Sequence, residues 1–204
     1  VHATKIRDNL FSNKSLPVEN YLPFPVYNWI TEWRWHDDSI EEFKRLETEY
    51  KHVRNYKKQW SVAPYPVIHH TVDALVEQSG HVLLVRRGGM PGEGLLALPG
   101  GFLNQTETLL DGAIRELQEE TKIDVPEKVL RGCIVNSHTF DDPYRSTRGR
   151  TITNTIHIKL EDRMNLPKVK GSDDAKKALW LPWSQWKCQD TFEDHWFQGQ
   201  YFKK

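Results

Sequence analysis

The spacing of hydrophobic residues changes near residue 63, and this change predicts two segments of different structure. From residue 40 to residue 60, apolar side chains recur every three or four positions, which places them on one face of a helix. They are Ile40, Phe43, Leu46, Tyr50, Val53, Tyr56 and Trp60. Ser39 and Glu42 have the spacing of a capping box, so we expect the helix to begin there. A shorter helix is predicted from about Pro25, since Trp29 and Trp33 lie one turn apart.

Beyond the prolines at 64 and 66, short runs of apolar and β-branched residues predict strands. The predicted strands cover 67–76, 81–85, 95–98, 129–136, 151–160 and 178–181, and helices are predicted over 106–121 and from 184. A turn is predicted at 99–101 (Pro-Gly-Gly). Strands that alternate with helices and long loops indicate a mixed sheet covered by helices. We therefore expect a helical segment over residues 1–63 and an α/β (α+β) domain over residues 64–204.

The charge balance narrows the classes of partner. The chain of 204 residues has 28 Lys and Arg against 28 Asp and Glu, so its formal net charge is zero. A protein that coats nucleic acid or an anionic membrane needs a surplus of basic residues, and we therefore expect neither partner. The two cysteines have no metal-binding spacing, and neither a membrane span nor a secretion signal is evident. These features favour a soluble cytoplasmic protein.

Three glutamates in the helix predicted over 106–121 give the clearest chemical signal. Glu116, Glu119 and Glu120 stand at i, i+3 and i+4, so their carboxylates crowd one face. Like charges at this spacing cost roughly a few tenths of a kcal/mol per pair, and the C-terminal half of a helix disfavours anions. A bound cation offsets both costs, and oxygen-only ligands favour Mg²⁺ or Mn²⁺ over zinc. On the helix alone, a solvated acidic face is an equal alternative.

Two neighbouring features favour the metal site. Arg115 lies four residues before Glu119 and is expected to hold its carboxylate in place. The turn predicted at 99–101 allows backbone carbonyls to approach the same point, where they add a hard oxygen ligand.

The stretch around these glutamates is similar to the Nudix box, the sequence pattern of the Nudix hydrolases. In that pattern Gly is followed after five residues by Glu and, after seven more, by Arg-Glu-hydrophobic-x-Glu-Glu-x-Gly-hydrophobic. Gly101, Glu107 and residues 115–123 match eight of its nine specified positions, and Lys122 replaces the final Gly. The resemblance implies an α/β/α sandwich that hydrolyses a nucleoside diphosphate linked to another group.

The resemblance also implies roles for individual residues. The metal ligands are expected to be Glu116, Glu119, Glu120 and the carbonyl of Gly100. Arg115 is expected to complete the catalytic set, with Gly101 and Glu107 in support. The proton of the attacking water is expected to go to one of these glutamates or to a carboxylate outside the box. The candidates are Glu161, Asp173 and Asp174, for each of which a solvated turn is the alternative.

Arginines near the box are candidates for holding a substrate diphosphate, because the guanidinium fork matches phosphate oxygens. Arg86 and Arg87 end the second predicted strand, and Arg148 and Arg150 lead into the strand at 151. A solvated surface is the alternative for each. The late tryptophans offer stacking surfaces for adenine, although core packing is the favoured role for Trp180.

Further stretches resemble the ADP-ribose pyrophosphatase half of the bifunctional nicotinamide-mononucleotide adenylyltransferase/Nudix hydrolases. They are 98–104 (Leu-Pro-Gly-Gly-Phe-Leu-Asn), 140–143 (Phe-Asp-Asp-Pro), 148–151 (Arg-Gly-Arg-Thr) and 171–175 (Gly-Ser-Asp-Asp-Ala). Thr4 and Arg7 are similar to a phosphate-contacting motif near the end of the adenylyltransferase domain. The resemblance implies cleavage of ADP-ribose to AMP and ribose 5-phosphate in NAD-related metabolism. Since nothing matches the rest of that domain, the chain alone is not expected to make NAD.

Two alternatives of function remain open at this point. One is a Nudix-like regulator that binds ADP-ribose without cleaving it, and the other is a remnant of the bifunctional enzyme that acts on another nucleoside diphosphate derivative. The sequence does not fix the oligomeric state, and a homodimer is one outcome.

Overall fold

The computed structural model describes residues 3–11, 22–35, 40–171 and 175–203. The chain divides into two compact units, Val1–Val62 and Ala63–Lys204. Within the described ranges, no helix combines the length and the apolar character needed to cross a membrane.

The first unit is helical in its described parts. It contains α1 (Ala3–Phe11), α2 (Phe24–Trp35) and α3 (Ile40–Gln59), followed by a 3₁₀ turn at Trp60–Val62. Phe43 of α3 is the centre of an aromatic cluster, with Phe11 of α1 at 5.2 Å and Trp33 of α2 at 5.8 Å between ring centroids. The Tyr50 hydroxyl donates a hydrogen bond to Asp8 at 2.6 Å. The apolar spacing predicted both α2 and α3, and the capping residue Ser39 lies outside the described residues.

The second unit contains a mixed sheet of seven strands. The strands are β1 (His69–Gln78), β2 (His81–Arg87), β3 (Leu96–Ala97), β4 (Gly100–Phe102), β5 (Ile134–Phe140), β6 (Thr151–Lys159) and β7 (Ala175–Pro182). The main order is β3-β2-β1-β6-β5, with β4 beside β1 and β7 beside β2. β1 and β6 are parallel, and the other pairs are antiparallel.

Helices cover both faces of this sheet. They are α4 (Leu109–Thr121), α5 (Glu127–Gly132) and α6 (His195–Phe202). On one face, Ile114 and Leu117 of α4 pack against alternate residues of β1 such as Val72 and Val76. On the other face, Leu75 and strand residues of β2 pack against Trp186 and Phe202. The two layers follow the alternation of side chains along a strand, and the predicted mixed α/β fold with an α/β/α sandwich is confirmed.

Three local predictions were wrong. Residues 99–101 do not form a simple turn, because Gly100–Phe102 pairs with Asp73, Val72 and Thr71 of β1. Residues 127–132 form α5, so the strand predicted from 129 begins at Ile134 instead. The helix predicted from 184 is preceded by two short 3₁₀ turns and begins at His195. In each case non-local pairing or packing overrides a short apolar pattern.

Candidate active site

The predicted catalytic glutamates lie in the second half of α4. The side chain of Thr108 caps this helix by accepting a hydrogen bond from the Asp111 N–H at 3.2 Å. At the other end, Lys122 adopts the left-handed conformation with φ of 45°, and its N–H donates to the Gln118 carbonyl. Lys122 therefore ends the helix in the conformation that Gly favours at this position, so the departure from the Nudix box does not alter the helix end.

Arg115 organises the acidic face. Its guanidinium donates to Glu107 at 2.7 and 2.9 Å, to Glu116 at 2.7 Å and to Glu119 at 3.0 Å. The contact with Glu119 is the one that the spacing predicted. Hydrogen bonds from Arg115 lower the pKa of Glu107 to about 2, so this carboxylate stays ionised and fixes the arginine.

Two of the glutamates are held in surroundings that oppose their charge. Glu120 accepts a hydrogen bond from the Gly100 N–H at 3.0 Å. Burial, together with the charge of Glu116, raises the pKa of Glu120 to about 7. Burial also raises the pKa of Glu116, against the opposing effect of Arg115. A cation between these carboxylates would stabilise their ionised forms and so oppose both shifts.

The donor set fits a hard divalent cation. Its side-chain ligands are carboxylate oxygens, and Gly100 brings backbone next to Glu120. Among the described residues, no group of three His, Cys, Asp or Glu side chains is already arranged around one metal position. Since Arg115 engages both Glu116 and Glu119, these two side chains must turn toward Glu120 for all three to share an ion.

Two glycines in β4 make room for this arrangement. A Cβ on Gly101 would lie 2.5 Å from one carboxylate oxygen of Glu116 and 2.9 Å from the other. A Cβ on Gly100 would overlap the Asp73 carboxylate and the Val72 carbonyl. The strand therefore approaches both α4 and β1 at a distance that any larger residue would prevent.

A cavity of about 260 Å³ lies beside Glu120 of the acidic helix face and a cluster of arginines. Its lining includes Glu120 and both glycines of β4, together with Arg87, Arg145 and Arg148. Arg87 stacks on the Phe192 ring, with 4.0 Å from its guanidinium carbon to the ring centroid. Burial lowers the pKa of Arg87, and the charge of Arg148 lowers it further. An anion between these two guanidinium groups is therefore favoured.

Acidic residues position two of the arginines. Arg145 is buried and donates to both oxygens of Asp194, at 2.7 and 2.9 Å. Arg148 lies 3.4 Å from Glu193, and its guanidinium lies 5.5 Å from the Phe102 ring. Arg145 is thus committed to a structural ion pair, while Arg87 and Arg148 face the cavity on aromatic supports.

Several residues that the sequence proposed lie elsewhere. Arg150 donates to the Asp141 carbonyl and Arg86 to the Gly94 carbonyl, and neither lines this cavity. Glu161 follows β6 near Glu77, four residues along β1 from Asp73, which is roughly 13 Å at 3.3 Å per residue. It forms an exposed ion pair with Arg163 at 3.4 Å. The strand direction therefore carries Glu161 away from the acidic face.

The remaining candidates divide in two groups. Asp173 and Asp174 lie outside the described residues. The described chain continues at Ala175, the first residue of β7, which pairs with Arg87. Trp180 packs in the core, and its Nε1–H donates to the Pro167 carbonyl at 2.9 Å. It is absent from the lining of the cavity, as its strand context indicated.

Comparison with known sequences decides the family. A family model described as "NUDIX domain" matches residues 67–201, about two thirds of the chain. The chain belongs to the Nudix family. An ADP-ribose pyrophosphatase of Methanocaldococcus jannaschii is 31% identical over 121 residues, which are 59% of this chain and 64% of that protein. The predicted family is thereby confirmed.

Solved structures of Nudix proteins agree with the fold. A bifunctional NMN adenylyltransferase/ADP ribose pyrophosphatase from Francisella tularensis, complexed with AMP and a Mn ion, is 32% identical with a TM-score of 0.88. The alignment covers 99% of this chain and 60% of the Francisella chain. The NUDIX domain of Shewanella oneidensis NrtR with ADP ribose is 22% identical, with a TM-score of 0.54 over 74% of this chain and 98% of that one. The chain thus spans less than two thirds of the length of the Methanocaldococcus and Francisella proteins.

Several residues of this Nudix cavity were not predicted from the sequence, among them Asp73, Phe192, Glu193 and His195. Asp73 lies in β1, Phe192 and Glu193 precede α6, and His195 begins it. They lie far from the Nudix box along the chain and meet it only because the sheet brings β1 and the C-terminal segment together. Glu193 has a positive φ of 46°, a backbone conformation that the sequence does not predict for a glutamate.

Proposed function

We propose that this chain is a metal-dependent hydrolase that cleaves the diphosphate of ADP-ribose to AMP and ribose 5-phosphate. The observation that carries the proposal is one cavity that is lined both by Glu120 of the acidic face of α4 and by Arg87 and Arg148. A nucleoside diphosphate needs both, since the arginines suit its phosphate oxygens and the acids suit its metal. The similarity to the two ADP-ribose pyrophosphatases supports this substrate.

We propose Glu116, Glu119, Glu120 and the Gly100 carbonyl as ligands of Mg²⁺ or Mn²⁺. A divalent metal held there would neutralise charge at the diphosphate and make water a stronger nucleophile. Arg115, fixed by Glu107, holds Glu116 and Glu119 and limits the positions that their carboxylates take. Gly101 leaves the space in which the Glu116 carboxylate turns.

The chain's own residues bind and orient the diphosphate. Arg87 and Arg148 donate to its oxygens from aromatic supports that fix their planes. Water oxygen forms the new bond to one phosphorus, and the bridging oxygen leaves with the other phosphate. A carboxylate takes the water proton. The candidates that we retain are one of the three glutamates and the predicted Asp173 and Asp174.

A product assay tests the proposed function. We expect the purified chain with Mg²⁺ or Mn²⁺ to convert ADP-ribose into equal amounts of AMP and ribose 5-phosphate, separated by ion-exchange chromatography. ADP-ribose, NADH and related dinucleotides left intact would refute hydrolysis. Calorimetric binding of ADP-ribose without turnover would identify the regulator instead.

We further propose that the first unit corresponds to the end of an adenylyltransferase domain. Support comes from the alignment with the bifunctional Francisella protein, which extends through 99% of this chain. Thr4 and Arg7 lie in α1, where Arg7 is exposed. We expect no NAD from nicotinamide mononucleotide and ATP with this chain, and NAD formation would contradict the proposal. Cytoplasmic location and a homodimer stay predictions, the second testable by sedimentation.

A further inference from the structure

One wall of the cavity carries a histidine that the proposed chemistry does not use. His195 is buried at the start of α6 and lines the cavity. Its Nδ1 accepts a hydrogen bond from the Leu98 backbone N–H at 3.0 Å. An accepting Nδ1 carries no proton, so the ring proton of the neutral imidazole lies on Nε2. Burial lowers the pKa of His195, which keeps the ring neutral near pH 7.

The donor on Nε2 has no acceptor in the described part of the chain. The hydrogen bond to Leu98 is the one that the ring makes there, and the ring packs on Phe192 with 5.7 Å between centroids. Since His195 lines the cavity, this donor is available to a group that enters it. His195 therefore presents one oriented donor to whatever the cavity holds.

Asp73 offers the matching acceptor in the same cavity. Its Oδ2 accepts a hydrogen bond from the Thr153 hydroxyl at 2.6 Å. The other oxygen, Oδ1, accepts none from the residues that the structure describes. Backbone contacts place the two side chains near each other: Leu98 donates to His195, and the next two residues, Pro99 and Gly100, pair with Ala74 and Asp73 of β1. The cavity that both side chains line thus has a donor and an acceptor, each held by a hydrogen bond from the protein.

The charges around this pair decide which group fits. Asp73 and Glu193 line the cavity together with His195, Asp194 directly precedes His195 in the chain, and Arg145 is already paired with Asp194. Carboxylates repel phosphate oxygens, so the diphosphate is favoured at Arg87 and Arg148 instead. A hydroxyl group donates one hydrogen bond and accepts others. It therefore satisfies both the His195 donor and the Asp73 acceptor.

We infer that His195 and Asp73 form a hydroxyl-binding subsite, in which Nε2–H donates to, and Oδ1 accepts from, a ribose hydroxyl of the bound nucleoside diphosphate. The inference rests on the proposed function for the identity of the nucleotide. This subsite would select a sugar that carries a hydroxyl group at the contacted position.

His195→Asn is the sharpest variant, because the Asn side-chain oxygen can still accept from Leu98 while the Nε2 donor is lost. We expect its Kd for ADP-ribose, measured by calorimetry with Ca²⁺ replacing Mg²⁺ to slow turnover, to rise at least about tenfold. KM should rise with it. The half-buried His138, which stacks on Tyr201 outside the cavity, provides the matched control His138→Asn with unchanged Kd.

Monodeoxy analogues of ADP-ribose identify the hydroxyl without any mutation. We expect one analogue to bind the wild-type protein about tenfold more weakly, and to lose nothing further on His195→Asn, because both changes remove the same hydrogen bond. If His195→Asn does not fold, this wild-type series decides alone. Equal binding of every analogue, or a folded His195→Asn with wild-type affinity, would overturn the inference.

The outcomes separate this inference from the proposed function. A wild-type chain that binds ADP-ribose without cleaving it ends the proposed hydrolysis, and the Kd comparison still decides the subsite. A chain that cleaves ADP-ribose with no loss in the analogue series ends the subsite alone. A chain that neither binds nor cleaves ADP-ribose overturns both.

Discussion

The raised pKa of Glu120 makes a stability prediction that is independent of enzymatic assays. Burial raises the pKa of this carboxyl from 4.5 to about 7. At about 1.4 kcal/mol per pKa unit, its ionised form opposes folding of the metal-free protein by about 3 kcal/mol. The folded state keeps the Glu120 proton to higher pH than the unfolded state, so protonation of Glu120 stabilises the fold. This stabilisation is full below pH 4.5 and is lost as the pH rises through about 7. Glu120→Gln keeps an acceptor for the Gly100 N–H and removes the charge.

We therefore expect Glu120→Gln to be more stable than the wild-type protein by up to about 3 kcal/mol at pH 8 with EDTA, and equally stable near pH 4.5. Urea unfolding curves at both pH values measure the difference. Addition of Mg²⁺ or Mn²⁺ should stabilise the wild-type protein more than the variant, since binding to the folded state adds to its stability. A variant that is less stable at pH 8, or a difference that does not depend on pH, would refute the reasoning.

Three further predictions test the core and the site. Leu117→Ala, in the fully buried face of α4, should cost about 3 kcal/mol in urea unfolding, and a loss below about 1 kcal/mol would contradict its place in the core. Gly101→Ala should lower kcat at least about tenfold with an unchanged Tm, because its Cβ displaces the Glu116 carboxylate; Gly132→Ala, with open space around it, should not change kcat. The hydrogen bond to His157 lowers the pKa of Glu77 in the folded protein, so the ionised carboxylate stabilises the fold. Glu77→Gln should therefore be less stable than the wild-type protein above pH 4.5, and this difference should disappear as the pH falls through the lowered pKa of Glu77. A difference that persists at pH 2 would contradict this last prediction.

The sequence predicted the parts of the molecule that have a local physical signal. The apolar period of α3, the acidic face of α4, and the contact from Arg115 to Glu119 all involve residues within a few turns of one helix. The Nudix box additionally predicted the family and the α/β/α fold, because its pattern includes both the helix and the glycine that precedes it.

Residues that meet only through the sheet could not be predicted. Asp73 and His195 are about 120 residues apart in sequence, and each looks ordinary in its own strand or helix. β4 has three residues, too few for a period, and exists because Gly100 and Gly101 can approach β1. Arg148 and Arg150 flank Gly149, which has a φ of 147°, and their side chains reach Glu193 and the Asp141 carbonyl respectively, a difference that composition does not reveal.

The most direct measurement of the central claim is the rate of ADP-ribose hydrolysis as a function of Mg²⁺ or Mn²⁺ concentration, compared between the wild-type protein and Glu119→Gln. Glu119 is the most exposed of the three glutamates, so its replacement should leave the fold and the Tm unchanged. We expect saturable, EDTA-sensitive turnover in the wild-type protein and a loss of at least about a hundredfold in the variant. Turnover that survives EDTA, or a folded Glu119→Gln with the wild-type rate, would contradict the assignment of the metal site.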